Sequence, residues 1–235
     1  MGHSYIVYAP LLQGCTTVLF EGKPVGTPDA STYWRVCADN GVHNMFTAPT
    51  ALRAIRREDP QLEMYRSAGV SELRTLFVAG ERGDPDTISF FSEAMDGVAV
   101  VDNYWQTETG WPISGNCVGL GRMRCKPGSA FKPVPGYDVR VLEADQTETE
   151  KNTDGSVCIR LPMPPGCLPT LWNNDERFKE AYLDDFPGFY KTGDAGHMDD
   201  DGYLSIMTRT DDIINVSGHR CVDTVCLSQL FVCLN

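Results

Sequence analysis

The chain has no long apolar run. No stretch approaches the roughly 18 apolar residues that a bilayer-spanning helix needs, so we expect no membrane span. The N-terminal stretch MGHSYIVYAPLLQG has neither the basic segment nor the cleavage site of a secretory signal peptide. Ile6 stands where a myristoylation signal requires Ser or Thr. We therefore expect neither a targeting peptide nor a lipid anchor in this chain.

Basic residues are scarce. Twenty Lys and Arg stand against 32 Asp and Glu, which gives a formal net charge of −12. The sequence contains no run of Lys and Arg that could neutralise a nucleic-acid backbone. We therefore expect no nucleic-acid partner, although a single nucleotide needs only a few hydrogen-bond donors and remains compatible with this charge.

Ligand-spaced cysteines and histidines are also missing. The nine Cys show no paired CxxC spacing, and the four His add no cluster with them, which argues against a zinc site. Because an odd number of cysteines cannot all form internal disulfides, reduced thiols in an intracellular compartment are predicted.

An alternation of strand-like and helix-like segments fills the chain up to about residue 120. The strand-like runs are TTVLFEG (16–22), LRTLFVAG (73–80) and GVAVVDNYW (97–105), and the helical ones are DASTYWRVCADNG (29–41) and DPDTISFFSEAM (84–95). Asp29 and Asp84 are the predicted helix N-caps. The pattern predicts an α/β fold with a mostly parallel sheet flanked by helices, in which ligands bind beyond the carboxyl ends of strands.

The pattern of predicted secondary structure changes after this α/β portion, which spans residues 1–120. Short strand candidates, YDVRVLEA and GSVCIRL, are joined by a polar turn and predict a small β-rich subdomain over residues 121–208. The final residues 221–235, CVDTVCLSQLFVCLN, are apolar, cysteine-rich and different again.

The segment YWQTETG (104–110) directly follows a strand of the buried type. Taken alone it fits a Thr- and Glu-rich surface loop. It also has the groups that a nucleotide site needs, because backbone and Thr107 hydroxyl groups can hold phosphate or adenine, and Glu108 offers an oxygen ligand to Mg²⁺. Trp105 beside them could close a small pocket. These two interpretations stay open on this segment alone.

Six ordered motifs extend this pattern across residues 2–220. They are YWQTETG, FTAPTALRAIRRED (46–59), VAGERGD (78–84), GSAFKPVPGYDVRVLE (128–143), YKTGDAGHMDDDGYL (190–204) and TRTDDIINVSGHR (208–220). Together they resemble the acyl-adenylate-forming superfamily of AMP-dependent synthetases and ligases. Within it the chain is most similar to the short-chain acyl-CoA synthetases, the acetyl- and propionyl-CoA synthetases.

The resemblance implies a set of site residues. The ATP- or AMP-binding residues would be Gly80, Glu81, Arg82, Asp102, Asn103, Tyr104, Trp105, Gln106, Thr107, Asp194, Arg209 and Arg220. Glu108 would bind Mg²⁺, Ser217 would lie near CoA, and Asp211 would be the hinge within residues 209–220. Asp194 would accept hydrogen bonds from both ribose hydroxyls, and DDDG (199–202) is predicted to be a plain turn.

The implied reaction joins a short-chain carboxylate to CoA. ATP and CoA would be co-substrates with Mg²⁺, and an acyl-adenylate would be the intermediate. Trp105 would close the acyl pocket, and the small Ala79 would favour propionate over acetate by the modest margin of one methylene, about 1–3 kcal/mol. By analogy with animal propionyl-preferring members, the compartment would be mitochondrial, and otherwise cytoplasmic.

Two family features are missing from this stretch of sequence. The Ser/Thr/Gly-rich phosphate loop and the C-terminal domain with the adenylation lysine find no counterpart, so the resemblance indicates a family member truncated at both ends, in which no catalytic residue is assigned. Three interpretations follow: a synthetase whose activity belongs to a longer form, an inactive isoform that binds nucleotide or a partner, or a poorly folding fragment.

Overall fold

The structure is a computed structural model that describes residues 5–210, 213–216 and 219–222. The α-helices are α1 (Tyr5–Leu12), α2 (Thr32–Asp39), α3 (Pro49–Glu58), α4 (Glu63–Ser67), α5 (Pro85–Ala94) and α6 (Asp175–Tyr182), with a 3₁₀ turn at Val118–Leu120. The strands are β1 (Asn44–Thr47), β2 (Thr75–Val78), β3 (Ala99–Asp102), β4 (Ser114–Gly115), β5 (Lys132–Pro133), β6 (Val139–Leu142), β7 (Gly155–Arg160), β8 (Phe189–Met198), β9 (Leu204–Arg209), β10 (Ile213–Val216) and β11 (His219–Val222).

The chain divides into two compact units. Unit 1 contains Met1–Val134 and Gly166–Leu168, and unit 2 contains Pro135–Pro165 and Pro169–Asn235. The main division, after Val134, lies later in the chain than residue 121, where the β-rich subdomain is predicted to begin. No helix of the described part is both long and apolar enough to cross a bilayer.

Unit 1 is built on a three-stranded parallel sheet in the order β1-β2-β3. Its central strand consists of Thr, Leu, Phe and Val, residues that favour strands. Helices pack against the sheet around a core that includes Trp34, Leu52, Leu76 and Phe91, none of which is exposed. Burying each such side chain stabilises the fold by about 1.5–3 kcal/mol. The predicted α/β class with a parallel sheet is confirmed, and strand predictions 73–80 and 97–105 contain β2 and β3.

Two local expectations in unit 1 are wrong. The run TTVLFEG (16–22) forms no strand, and Leu19 is 94% exposed, because no described strand lies beside it to complete its backbone hydrogen bonds. Asp29 is not the N-cap of α2: Ser31 holds that position, and the Asp29 carboxylate instead accepts the Ser31 amide and hydroxyl at 2.9 and 2.5 Å.

Helix α5 begins as predicted. Asp84 is its N-cap, its side chain accepts the Thr87 amide at 2.8 Å, and Pro85 occupies the first turn. Burial alone would raise the pKa of Asp84, but hydrogen bonds from the Thr87 amide and the Arg53 guanidinium outweigh burial and leave that pKa below its usual value.

Unit 2 contains a four-stranded antiparallel sheet in the order β6-β7-β8-β9. The two strands predicted there are present as β6 and β7. The DDDG segment is a turn between β8 and β9, as expected, because the Asp199 carboxylate accepts the amides of Asp201 and Tyr203 at 2.9 and 2.8 Å. Gly196 is required in β8, since a Cβ there would lie 2.1 Å from the Ser205 carbonyl oxygen.

Candidate functional site

The carboxyl ends of the three parallel strands lie together at one edge of the unit 1 sheet. Thr47 is in register with Val78, and Val78 with Asp102. The segments that follow β1, β2 and β3 therefore begin next to one another. The segments after β2 and β3 contain predicted nucleotide-binding residues. This edge is where ligands bind in open α/β sheets.

Asp102 ends β3 as a buried carboxyl group, and only 7% of the residue is exposed. Burial raises the pKa of Asp102 to about 7, against hydrogen bonds from the Asn103 and Gly83 amides that favour its ionised form. A Cβ at Gly83 would lie 2.5 Å from Asp102 Oδ2, so the loop after β2 packs against the end of β3. Two separately predicted segments are thus in contact.

The loop Gly80–Asp84 follows β2 and approaches β3 closely. Gly80 has φ +97°, a backbone conformation that glycine adopts without a Cβ clash. At Gly83 a Cβ would lie 2.5 Å from Asp102 Oδ2, so only glycine fits against the carboxyl group. The intervening Glu81 and Arg82 side chains are exposed.

Buried polar atoms without a protein partner lie just beyond β3. Asn103 donates through Nδ2 to the Val78 carbonyl oxygen at 3.2 Å, while its Oδ1 has no hydrogen-bond partner. The Ser114 hydroxyl is also buried without one, and Ser114 pairs with Tyr104 in an isolated bridge. Unsatisfied buried polar groups are costly, so these atoms fit contact with a polar ligand or water.

The predicted segment from Gln106 to Glu108 forms a tight turn. The Gln106 carbonyl oxygen accepts the amides of Thr109 and Gly110 at 3.2 and 3.3 Å, and the Thr109 hydroxyl donates to it at 3.0 Å. Thr107 is exposed and Glu108 is partly buried. In the described part of the chain, no three His, Cys, Asp or Glu side chains form a group that could hold a metal by themselves. A single carboxylate still fits Mg²⁺, which usually binds one or two carboxylates together with substrate phosphates.

Trp105 and Ala79 both follow strand ends and are buried. The Trp105 ring packs edge-to-face on Phe46 of β1, with centroids 5.8 Å apart, and Phe46 stacks on Phe77 of β2. Because such aromatic pairs are directional, Phe46 holds the Trp105 ring at a defined angle.

Asp194 and Arg209 are cross-strand partners in unit 2. The Asp194 side chain is 9% exposed, and the Arg209 Nε lies 4.0 Å from its Oδ1. The Asp194 amide donates to the Thr192 hydroxyl at 3.1 Å, and that hydroxyl donates to the Val157 carbonyl oxygen at 2.7 Å. The predicted ribose carboxylate therefore lies on a paired strand beside the Arg209 guanidinium.

The remaining predicted residues lie near the end of the chain. Arg220 belongs to β11, where its backbone pairs with Asn215 of β10. Asp211 and Ser217, the expected hinge and CoA residues, lie outside the described residues.

Comparison with known proteins identifies the family. Residues 1–164, more than half of the chain, match the family of AMP-binding enzymes. The chain belongs to the AMP-binding enzyme family. Its fold is similar to that of the anthranilate CoA ligase AuaEII, solved in complex with anthranoyl-AMP, with a TM-score of 0.71 and 25% identity over 93% of this chain and 39% of that one.

Curated relatives narrow the resemblance within the AMP-binding enzymes. The chain is 52% identical over 221 residues to the human "Acyl-CoA synthetase short-chain family member 3, mitochondrial", covering 94% of this chain and 32% of that protein. It is 44% identical over 222 residues to the "Propionate--CoA ligase" of Escherichia coli, covering 94% of this chain and 35% of that protein. The chain thus spans about a third of the length of the relatives it matches.

The structure shows contacts of three side chains that the sequence motifs did not reveal. Phe46 supports Trp105, Thr109 closes the turn that presents Glu108, and Arg53 contacts the loop after β2. Phe46 and Arg53 lie within the motif FTAPTALRAIRRED, and Thr109 within YWQTETG, so the motifs were visible but the contacts of these side chains were not.

Proposed function

We propose that this chain is the nucleotide-binding portion of a short-chain acyl-CoA synthetase. The reaction joins a short-chain carboxylate, propionate or acetate, to CoA at the expense of ATP, which becomes AMP and pyrophosphate. The observation that carries the proposal is the close approach of Gly83 to the buried Asp102 carboxyl group, where a Cβ would lie 2.5 Å from Oδ2, because it brings two motif segments together at the carboxyl edge of the sheet. The family membership and the names of the relatives support it.

Two displacements make up the chemistry. A substrate carboxylate oxygen attacks the α-phosphorus of ATP and pyrophosphate leaves, which gives the acyl-adenylate. The CoA sulfur then attacks the acyl carbonyl carbon, its thiol proton passes to solvent, and AMP leaves. In-line phosphoryl chemistry depends on positioning and on charge neutralisation, and Mg²⁺ bound at Glu108 would supply part of that neutralisation.

The residues of this chain bind and orient the nucleotide. Gly80–Arg82 and Asp102–Thr107 line the adenine and α-phosphate, and buried Asn103 Oδ1 offers an acceptor there. Asp194 accepts the ribose hydroxyls because its carboxylate has acceptors only. Arg209 beside it contacts the ribose or a phosphate, and Arg220 contacts a phosphate oxygen.

The remaining assignments complete the proposal. Trp105, held by Phe46, closes the acyl pocket and excludes long chains, and Ala79 leaves room for propionate. Ser217 lies near CoA and Asp211 acts as the hinge. The division into residues 1–120, 121–208, 209–220 and 221–235 belongs to the same proposal. Mitochondrial location is proposed because several similar relatives carry "mitochondrial" in their names.

A second candidate is a nucleotide- or partner-binding module without turnover. It requires only the nucleotide-binding residues named above, among which no catalytic residue is assigned. The two candidates share the nucleotide site and differ in catalysis. Measuring acyl-CoA formation from propionate, ATP and CoA by this chain distinguishes them once nucleotide binding has been established.

Thermal unfolding with a non-hydrolysable propionyl-adenylate analogue tests the site itself. A ligand at 100 times its Kd stabilises the folded state by about 2.7 kcal/mol, which should raise Tm by roughly 5–10 °C at this size. Asp194→Ala should abolish the shift, and Asp200→Ala, in the exposed turn between β8 and β9, should retain it. A cooperative transition without any shift in the unmodified chain would refute the proposed site.

A further inference from the structure

Helix α3 begins without a capping side chain of its own. Its N-cap is Ala48, which has no side-chain acceptor, and Pro49 opens the first turn. The cap comes from the loop after β2, because Glu81 Oε1 accepts the Thr50 amide at 2.5 Å and also accepts the Thr50 hydroxyl. A carboxylate at this position satisfies an otherwise unpaired amide and interacts favourably with the helix dipole.

Arg53, one turn further along α3, contacts both ends of that loop. Its Nη2 lies 3.0 Å from Glu81 Oε1 and 3.0 Å from the Thr50 hydroxyl, and its Nη1 lies 3.0 Å from Asp84 Oδ2. The planar guanidinium of Arg53 can donate to Glu81 and to Asp84 at once. A lysine ammonium group is a compact point charge and is less suited to bonding both carboxylates. We call Arg53, Glu81 and Asp84 the loop bracket.

The middle of the loop is held by a different contact. Gly83 packs against the buried Asp102 carboxyl group, because a Cβ at Gly83 would lie 2.5 Å from its Oδ2. Asp84, at the far end, also caps α5 through the Thr87 amide. The loop is therefore attached to α3, to α5 and to the end of β3.

The two helices are joined independently of the loop bracket. Arg56 Nη1 lies 2.5 Å from Asp86 Oδ2, and the Arg56 guanidinium lies 4.4 Å from the centre of the Phe90 ring. Removing Arg53 should therefore leave the packing of α3 against α5 in place. Removing Arg53 should release only the Gly80–Asp84 loop.

We propose that Arg53 and Glu81 are positioning residues that hold the Gly80–Asp84 loop in the conformation that receives the nucleotide, a proposal that rests on the proposed function for the identity of the ligand. The Glu81 carboxylate is directed to α3, so the contribution of this residue to the adenine site comes from its main chain. The guanidinium acts through the loop and touches no nucleotide.

Arg53→Met and Glu81→Ala test the loop bracket, with Arg57→Met as the matched control. Arg57 is an exposed arginine in the last turn of the same helix, and it forms no ion pair with Glu81 or Asp84. Arg53→Lys keeps the charge without the fork, and Glu81→Gln keeps an acceptor for the Thr50 amide. Because Arg53 and Glu81 are 42% and 39% exposed, Tm should change by no more than about 2–4 °C in all five variants.

Hydrogen exchange of the ligand-free chain is the first measurement. The Thr50 and Gly83 amides should exchange about three- to tenfold faster in Arg53→Met and Glu81→Ala, because local opening of the loop becomes easier. Arg57→Met should match the unmodified chain, Glu81→Gln should lie close to it, and Arg53→Lys should be intermediate. Unchanged exchange in both disruptive variants would overturn the loop bracket, whatever the ligand is.

Calorimetric titration with AMP is the second measurement. Kd should rise about three- to tenfold in Arg53→Met and Glu81→Ala at nearly constant Tm, and Glu81→Gln should restore binding. An unchanged Kd in both variants would overturn the positioning role. If the unmodified chain does not bind AMP, the proposed function fails, and with it the nucleotide role of the loop, while the exchange measurement still decides whether the loop bracket exists.

Discussion

Replacing Gly83 with alanine tests the contact on which the candidate site depends. The new Cβ would lie 2.5 Å from Asp102 Oδ2 and 3.2 Å from the Ile88 Cδ1 methyl. The methyl group is the end of a flexible side chain and can move. The carboxyl group is buried at the end of β3, so it has little room to move away from the new methyl group.

The cost follows from this overpacking. Overpacking a core site costs about 1–3 kcal/mol, so we expect Gly83→Ala to lower the free energy of unfolding by about that amount. At 235 residues this corresponds to a fall in Tm of roughly 2–12 °C.

Unfolding followed by tryptophan fluorescence measures the effect, because Trp34 and Trp105 of unit 1 are buried. Gly119→Ala is the matched control: a Cβ at this exposed glycine meets nothing within 4 Å, so its effect should stay within about 0.5 kcal/mol. Introducing Gly83→Ala into an Asp102→Ala background removes the clashing group. The cost of the glycine substitution should then fall below about 1 kcal/mol. Equal costs in both backgrounds would refute the contact.

Two further predictions concern ionisation. The pKa of Asp102 is raised by burial to about 7 from 3.8, so between about pH 4 and 7 the unfolded chain loses a proton that the folded chain keeps. The free energy of unfolding should fall with rising pH in that window, by at most about 1.4 kcal/mol per pH unit, and this contribution should level off above pH 7. Urea titrations should show the fall reduced in Asp102→Asn, and equal slopes would contradict the shift. Burial likewise raises the pKa of the Cys37 and Cys158 thiols to about 11 and about 12, whereas Cys15 is exposed. Iodoacetamide at pH 8 should therefore modify Cys15 in the native chain and reach the other two only after denaturation, which serves as the control.

Much of unit 1 follows from local sequence. Strands β2 and β3 are short apolar runs rich in β-branched residues, and such runs favour buried parallel strands. Helix α5 begins at Asp84–Pro85, a cap followed by a first-turn proline, and that signal needs no tertiary partner. The family, too, is evident from motifs that keep their order along the chain.

Other features depend on neighbours that are distant in sequence. The run at 16–22 has the composition of a strand, but it forms none because no described strand lies beside it. Composition alone therefore predicts the wrong structure there. The N-cap of α2 is an exception, because it was mispredicted although the contact is local: the Asp29 carboxylate bonds to Ser31 only two residues away, and Ser31 is the N-cap. Ala48 has no capping side chain, and the Thr50 amide of α3 is instead bonded by Glu81, 31 residues after Thr50, which local pattern cannot predict.

The amino-acid sequence by itself determined the α/β class, strands β2 and β3 next to the candidate site and the membership of the AMP-binding enzymes, because periodicity, caps and ordered motifs are local properties. Only the tertiary structure decided that Gly83 touches Asp102, that Phe46 supports Trp105 and that Arg53 connects both ends of the loop. These contacts arise because parallel strands bring segments tens of residues apart to one edge of a sheet. Burial there also sets the pKa of Asp102, which no local pattern contains.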